Sequence, residues 1–263
     1  MTRNPFNNSN IEKAVFFTKL CLFFIILVFL ITFKYSINFF NSKSSTLVTT
    51  VFHRLVLWLI NINVVKEGYE SKNRKGILFV SNHLSYIDIP ILGSLLPLKF
   101  VARADIKEWP ILGKLAQIGD TIFVERLKKT VSLEKDVIEK TINNGEKVIL
   151  FPEGTTSDGN RVLDFKSSLM SSVENKDYIV QPVVISYHGI NGVPLTRWLK
   201  PIIAWYGDME FKTHLINLIG LSSISAKVKF LSPINSKDFN DRKSMTNFLQ
   251  NVINNSYSKN ING

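Results

Sequence analysis

Past Lys66 the chain alternates short apolar runs with longer amphipathic ones, and this alternation restricts the fold more than any other feature. Runs of strand length and composition fall at 76–80, 99–102, 121–124, 147–151, 179–185, 202–205 and 226–231. Helical spacing occupies 89–96, 107–118, 131–143, 165–173, 212–219 and 244–253. The third of these closes on Asn144-Gly145, a C-terminal helix stop. The expected class is α/β: a mostly parallel sheet flanked by helices. Open sheets of this kind take their ligands beyond the carboxyl ends of the strands. The polar residues that follow the strands are therefore where a site belongs.

The segment before Lys66 has a different character. Residues 14–33 read AVFFTKLCLFFIILVFLITF, and no charge follows Lys19 until Lys34. A helix of that length spans about 30 Å, one hydrocarbon core. A cleaved signal sequence shares a basic start and an apolar centre, but this run is long for one. Residues 35–40 also offer no small-residue cleavage site. The expectation is a retained membrane anchor. Basic residues flank both sides (Arg3 and Lys13, then Lys34, Lys43 and Arg54), so charge assigns no orientation. Between Leu47 and Val65, Val48, Val51, Phe52, Leu55, Leu59 and Ile62 recur at helical spacing, with Thr50, His53, Arg54 and Leu57 off that stripe. This predicts an amphipathic helix, lying on a membrane or packed on the soluble core. The chain thus divides into an N-terminal anchoring segment with its amphipathic helix, 1–65, and an α/β domain, 66–263.

A formal charge of +11 calls for an anionic partner. The basic residues are scattered, without an aromatic-spaced patch or a helix-turn-helix signature, so nucleic acid is not expected and membrane lipids are. The single cysteine, Cys21, excludes a disulfide framework and a cysteine metal site.

The richest post-strand stretch is Ser81-Asn82-His83-Leu84-Ser85-Tyr86-Ile87-Asp88. Five positions apart on one helix, His83 and Asp88 would diverge by about 140°. With His83 in a turn and Asp88 at a helix start, as Pro90 suggests, they can face each other. A carboxylate on one imidazole nitrogen fixes the tautomer and leaves the other free to take a proton, as a general base must. The plainer reading is a helix cap beside a turn histidine. Gly119 to Arg126 ends a strand in an acid and a guanidinium, and Phe151-Pro152-Glu153-Gly154-Thr155 ends another in a proline-stiffened turn. Gln181-Pro182 interrupts an apolar strand, which is unusual for a central one.

In this order the blocks resemble the glycerolipid acyltransferases of the PlsC type, over about residues 60–235. His83 and Asp88 match H-x-x-x-x-D; Gly119, Phe123 and Arg126 match G…F-[IV]-x-R with one residue more than the tightest spacing. Phe151 to Thr155 match F-P-E-G-T, and Val180, Pro182 and Val183 match V-x-P-V. The resemblance makes 66–263 the acyltransferase domain. It implies that His83 deprotonates an acceptor hydroxyl, which attacks an acyl thioester on coenzyme A or acyl carrier protein, with Asp88 orienting the histidine. No bound cofactor, metal or covalent acyl-enzyme is required. Arg126, Glu153, Gly154 and Thr155 are then expected to hold the acceptor, with Arg103 at a place where the family often carries a basic residue. Guanidinium suits phosphate or carboxylate. Where the family commonly continues with arginine, this chain has Thr156 before Ser157. That departure, with the stretch Ala204 to Met209, also resembles a branch that includes lyso-ornithine lipid acyltransferases.

The implied acceptor is lysophosphatidate, as the commoner family substrate, with lyso-ornithine lipid as the alternative. A site on the cytoplasmic side of the cell (inner) membrane is expected, where thioester donors are made. There is no G-x-S-x-G elbow for a serine hydrolase. The rival from another class is a non-catalytic membrane-surface protein of the same fold.

Overall fold

The computed structural model describes residues 10–40, 42–72, 76–124 and 131–262. Two helices, α1 (Asn10–Phe40) and α2 (Ser42–Leu59), precede the first strand, β1 (Ile62–Glu67). Then follow β2 (Ile77–Ser81), α3 (Asp88–Leu95), β3 (Leu98–Arg103), α4 (Leu112–Ile118), β4 (Ile122–Val124), α5 (Val131–Asn143) and β5 (Lys147–Leu150). The remainder is β6 (Ile179–Ile190), β7 (Val193–Pro194), α6 (Phe211–Ile219), β8 (Ile224–Phe230), β9 (Ile234–Asn235) and α7 (Arg242–Asn262).

The sheet order is β1-β8-β6-β2-β5-β3-β4. From β6 to β4 all neighbours are parallel; β8 runs antiparallel to β6 and carries β1 parallel to itself. The expected α/β class with a mostly parallel sheet holds. Every residue of β2 is buried, which is why it reads as a continuous apolar run and not as an alternation. Pro182 is accommodated in central β6 by a change of partner. β9 pairs with Ile179 and Val180, while β8 begins at Val183. The Pro182 carbonyl accepts from Leu231 N–H at 3.0 Å, so its missing N–H faces the gap between those two strands.

Several elements differ from the sequence expectation. Residues 62–65 are not helical: Asn61 takes a left-handed conformation (φ 56°), ends the helical course, and releases β1 to pair with β8. At 202–205 a 3-10 helix over Arg197–Ile202 gives way to irregular chain instead of a strand. Ser167–Val173 is likewise 3-10, and the segment from 107 opens as a 3-10 turn before α4.

The expected stripe of α2 is split. Thr50, His53 and Leu57, which lie off it, are buried, while Val51 is exposed. Gly93 on α3 makes this possible, because a Cβ there would lie 1.9 Å from His53 Nδ1. The His53 ring fills that slot and meets Phe100 edge-on at 6.1 Å. Phe52 turns to Phe23 of α1 instead.

Within α1, Phe16–Ser36 is long and apolar enough to cross a membrane, and only 6% of its most apolar window is buried. With Leu30, Lys34 is buried. Its ammonium donates to the Ile118 carbonyl, to Asp120 Oδ2 at 2.7 Å and to Thr49 Oγ1 at 3.3 Å.

Candidate active site

The site is built at the carboxyl end of β2. Beyond Ser81 the strand has no further backbone pairing with β6, and the Asn82 side chain takes over. Its Nδ2 donates to the Ile185 carbonyl at 2.9 Å and its Oδ1 accepts from Ile185 N–H at 3.0 Å. The next residue, His83, is thereby launched from a fixed point.

Asp88 closes the turn. It is fully buried at the first position of α3, and its Oδ2 accepts from Leu84 N–H at 2.7 Å and Ser85 N–H at 3.0 Å. The same oxygen lies 2.7 Å from His83 Nδ1. A carboxylate that accepts from two amides is an acceptor only, so Nδ1 carries the proton and Nε2 of the neutral ring holds the lone pair. Among the described residues Nε2 makes no hydrogen bond, and the His83 side chain keeps 17% exposure. On its flat side the ring stacks on Phe151, centroids 4.0 Å apart at 15°.

Phe151 opens the second loop. Pro152 at the second position of a turn closed by Gly154 N–H to the Phe151 carbonyl (3.0 Å) suits its fixed φ, and Gly154 adopts φ 66°. This turn directs Glu153 inward. The residue is 1% exposed; Oε1 accepts from His83 N–H at 2.7 Å and Oε2 from Leu163 N–H at 2.8 Å. The His83 carbonyl in turn accepts from Ser157 N–H at 2.9 Å. Glu153 therefore meets backbone and not the open surface where an acceptor-holding residue was expected. Burial pushes its carboxyl up to about 8, against the opposing pull of the two amides.

Of the other expected residues, Thr155 is exposed and Gly154 half-buried at the same loop. Arg103, at the end of β3, is engaged by Asp105 through two bonds of 2.8 Å, both side chains being about half exposed. Arg126 lies outside the described residues; β4 stops at Val124, in register with Arg103.

Sequence reasoning missed two neighbours of the dyad. Tyr187 of β6 donates its hydroxyl to Asp88 Oδ1. Its signal was a tyrosine continuing the inward alternation of Val183 and Ile185, since a buried tyrosine hydroxyl needs a partner. Trp205 also escaped notice as a site neighbour: its backbone N–H donates to the Leu84 carbonyl at 3.0 Å, and its ring meets Tyr86 edge-on. The stretch Ala204 to Met209 thus touches the histidine turn through Trp205.

The family model described as Acyltransferase matches residues 62–186, which contain the histidine turn and the loop at 151–157 and end just before Tyr187. A lyso-ornithine lipid O-acyltransferase from Rhizobium meliloti (strain 1021) is 37% identical over 205 residues, 75% of this chain and 70% of the relative. A 1-acyl-sn-glycerol-3-phosphate acyltransferase from Neisseria gonorrhoeae is 28% identical over 195 residues, 74% of this chain and 73% of the relative. The crystal structure of the 1-acyl-sn-glycerophosphate (LPA) acyltransferase PlsC from Thermotoga maritima superposes with a TM-score of 0.66 at 21% identity. It covers 94% of this chain and 96% of that one, a likeness of fold.

Proposed function

The chain belongs to the acyltransferase family, and we propose that it is a membrane-bound O-acyltransferase that esterifies the free hydroxyl of a lysolipid, with lyso-ornithine lipid as the preferred acceptor. The observation that carries the chemistry is the 2.7 Å contact between His83 Nδ1 and buried Asp88, which leaves Nε2 as the base. Nε2 takes the acceptor's hydroxyl proton as that oxygen attacks the thioester carbonyl. The tetrahedral adduct collapses with cleavage of the C–S bond, and the departing thiolate recovers the proton from the imidazolium, whose charge Asp88 offsets. The products are the diacyl lipid and the free thiol of coenzyme A or acyl carrier protein.

Three features support lyso-ornithine lipid ahead of lysophosphatidate. Thr156 stands where the phosphate-directed pattern has arginine, Ala204 to Met209 touches the histidine turn through Trp205, and the relative of higher identity bears that name. Lysophosphatidate remains the second reading on the strength of the Neisseria relative. The apolar, exposed α1 supports attachment to the cell (inner) membrane, with the site on the cytoplasmic side where thioesters are available.

The test is acyl transfer by the detergent-purified full chain from a thioester donor, with both acceptors offered side by side and His83→Ala as control. The expected result is turnover of the ornithine acceptor, reduced by about 10²–10⁴ in the variant. Turnover confined to lysophosphatidate overturns the acceptor assignment. Undiminished transfer by folded His83→Ala overturns the base assignment, and no transfer to either acceptor by the folded wild type returns the non-catalytic reading.

A further inference from the structure

Asp88 has two oxygens with unequal company. Oδ2 meets three donors, His83 Nδ1, Leu84 N–H and Ser85 N–H. Oδ1 accepts from Tyr187, and no other partner for it occurs among the described residues. Tyr187 is itself buried and comes from β6, the strand next to β2, four positions beyond Val183, the residue level with Ser81. Tyr187 keeps the regular β6–β8 register opposite Ala226, and the register shifts only after it, before Gly189. A strand that overshoots its neighbour thus brings a buried phenol to one carboxylate oxygen.

We propose that Tyr187 is a positioning residue that acts on His83 through Asp88: its hydroxyl draws charge toward Oδ1, away from the oxygen facing the imidazole, and so keeps His83 unprotonated at the pH of turnover. This rests on the base role given to His83 above. A carboxylate relieved of part of its charge stabilises an imidazolium less, and the free enzyme then loses its proton at lower pH. The hydroxyl is a dependable donor, since burial and the adjacent Asp88 push the phenol well above its ordinary range.

The other ionisable groups around the dyad do not compete for that oxygen. Tyr86 in the turn is 2.9 Å from His214 Nδ1 of α6. Glu153, after β5, is held by two amides. Tyr257 of α7 and Lys200 of the 3-10 helix at 197–202 both donate to the Gly159 carbonyl at 2.6 Å. Glu153, at about 8, titrates on the alkaline side, so the acidic limb of the pH profile is the one to read.

The experiment compares kcat/KM against pH for the purified full chain, Tyr187→Phe, and the protein carrying 3-fluorotyrosine or 3,5-difluorotyrosine at position 187. The phenylalanine variant is expected to move the acidic limb up by about half to one pH unit and to lower kcat several-fold at pH 7, with KM for both substrates unchanged. The fluorinated residues, better donors of nearly the same shape, are expected to move the limb down in order of their acidity. They also decide the matter if Tyr187→Phe does not fold. A limb that stays fixed across the fluorinated series, with His83→Ala inactive, overturns the proposal alone. Activity in His83→Ala overturns the base reading beneath it.

Discussion

Two stretches hold His83, its own turn through Asp88 and the loop at 151–157. Its N–H is taken by Glu153, its carbonyl by Ser157, its Nδ1 by Asp88 and its ring face by Phe151. Glu153 thereby acts as a strut, and its burial has a thermodynamic signature. A carboxyl raised from 4.5 to about 8 binds its proton more tightly in the folded chain than in the unfolded one. Between those values stability therefore falls as pH rises, by at most about 1.4 kcal/mol per pH unit for one proton, and the contribution is complete below the lower value. Denaturant unfolding of the wild type from pH 5 to 8 should show this decline, and Glu153→Gln should flatten it. Parallel slopes in the two proteins would mean that Glu153 is ionised in the fold throughout. At this scale the sequence was informative where chemistry and spacing coincide. His83 and Asp88 are five positions apart in a turn and were legible; Tyr187, whose partner lies 99 residues away, was not. Glu153 was visible as a residue but not its direction, which a turn with Gly154 at positive φ decides.

Among the elements, the α2–α3 contact depends on one missing methyl group. Gly93→Ala sets a Cβ against the His53 ring, which is buried and meets Phe100 edge-on. Overpacking of this kind costs about 1–3 kcal/mol, to be measured as a lowered unfolding midpoint. His53→Ala in the same chain should relieve much of that cost, leaving the two changes non-additive. Additive losses would show that the helices part elsewhere. Burial pushes His53 down to about 4, so it packs as a neutral ring near neutral pH. The helix itself was legible from its period, but its inward face was not. Counting apolar side chains assigns Val51 to the core and His53 to the surface, whereas a glycine on the neighbouring helix reverses them. The same limit explains β1: Ile62 fits the helical stripe as well as the strand, and Asn61 in a left-handed turn decides between them. Most strands of the parallel block were readable because both faces are buried, which leaves an apolar run bounded by polar residues.

Across the whole molecule, a buried cation ties the apolar α1 to the α/β domain. Lys34 stands near the end of the apolar window Phe16–Ser36 and closes on Asp120. Two residues later Ile122 pairs with Val101, which lies at the level of the last residues of β5 and β2. The lysine thus ties the end of the apolar stretch to the half of the sheet that carries His83. In the membrane-bound enzyme proposed above, the hydroxyl to be acylated is met in a plane and not in a volume. Turnover in mixed micelles should then follow the acceptor's mole fraction in the surface and stay constant when micelles and acceptor are diluted together. Lys34→Met should lower the rate at a fixed mole fraction without removing the protein from the micelle. A rate that tracks bulk acceptor concentration would sink this. For such an enzyme the effective substrate concentration is set by lipid composition, and supply becomes a matter of lateral traffic.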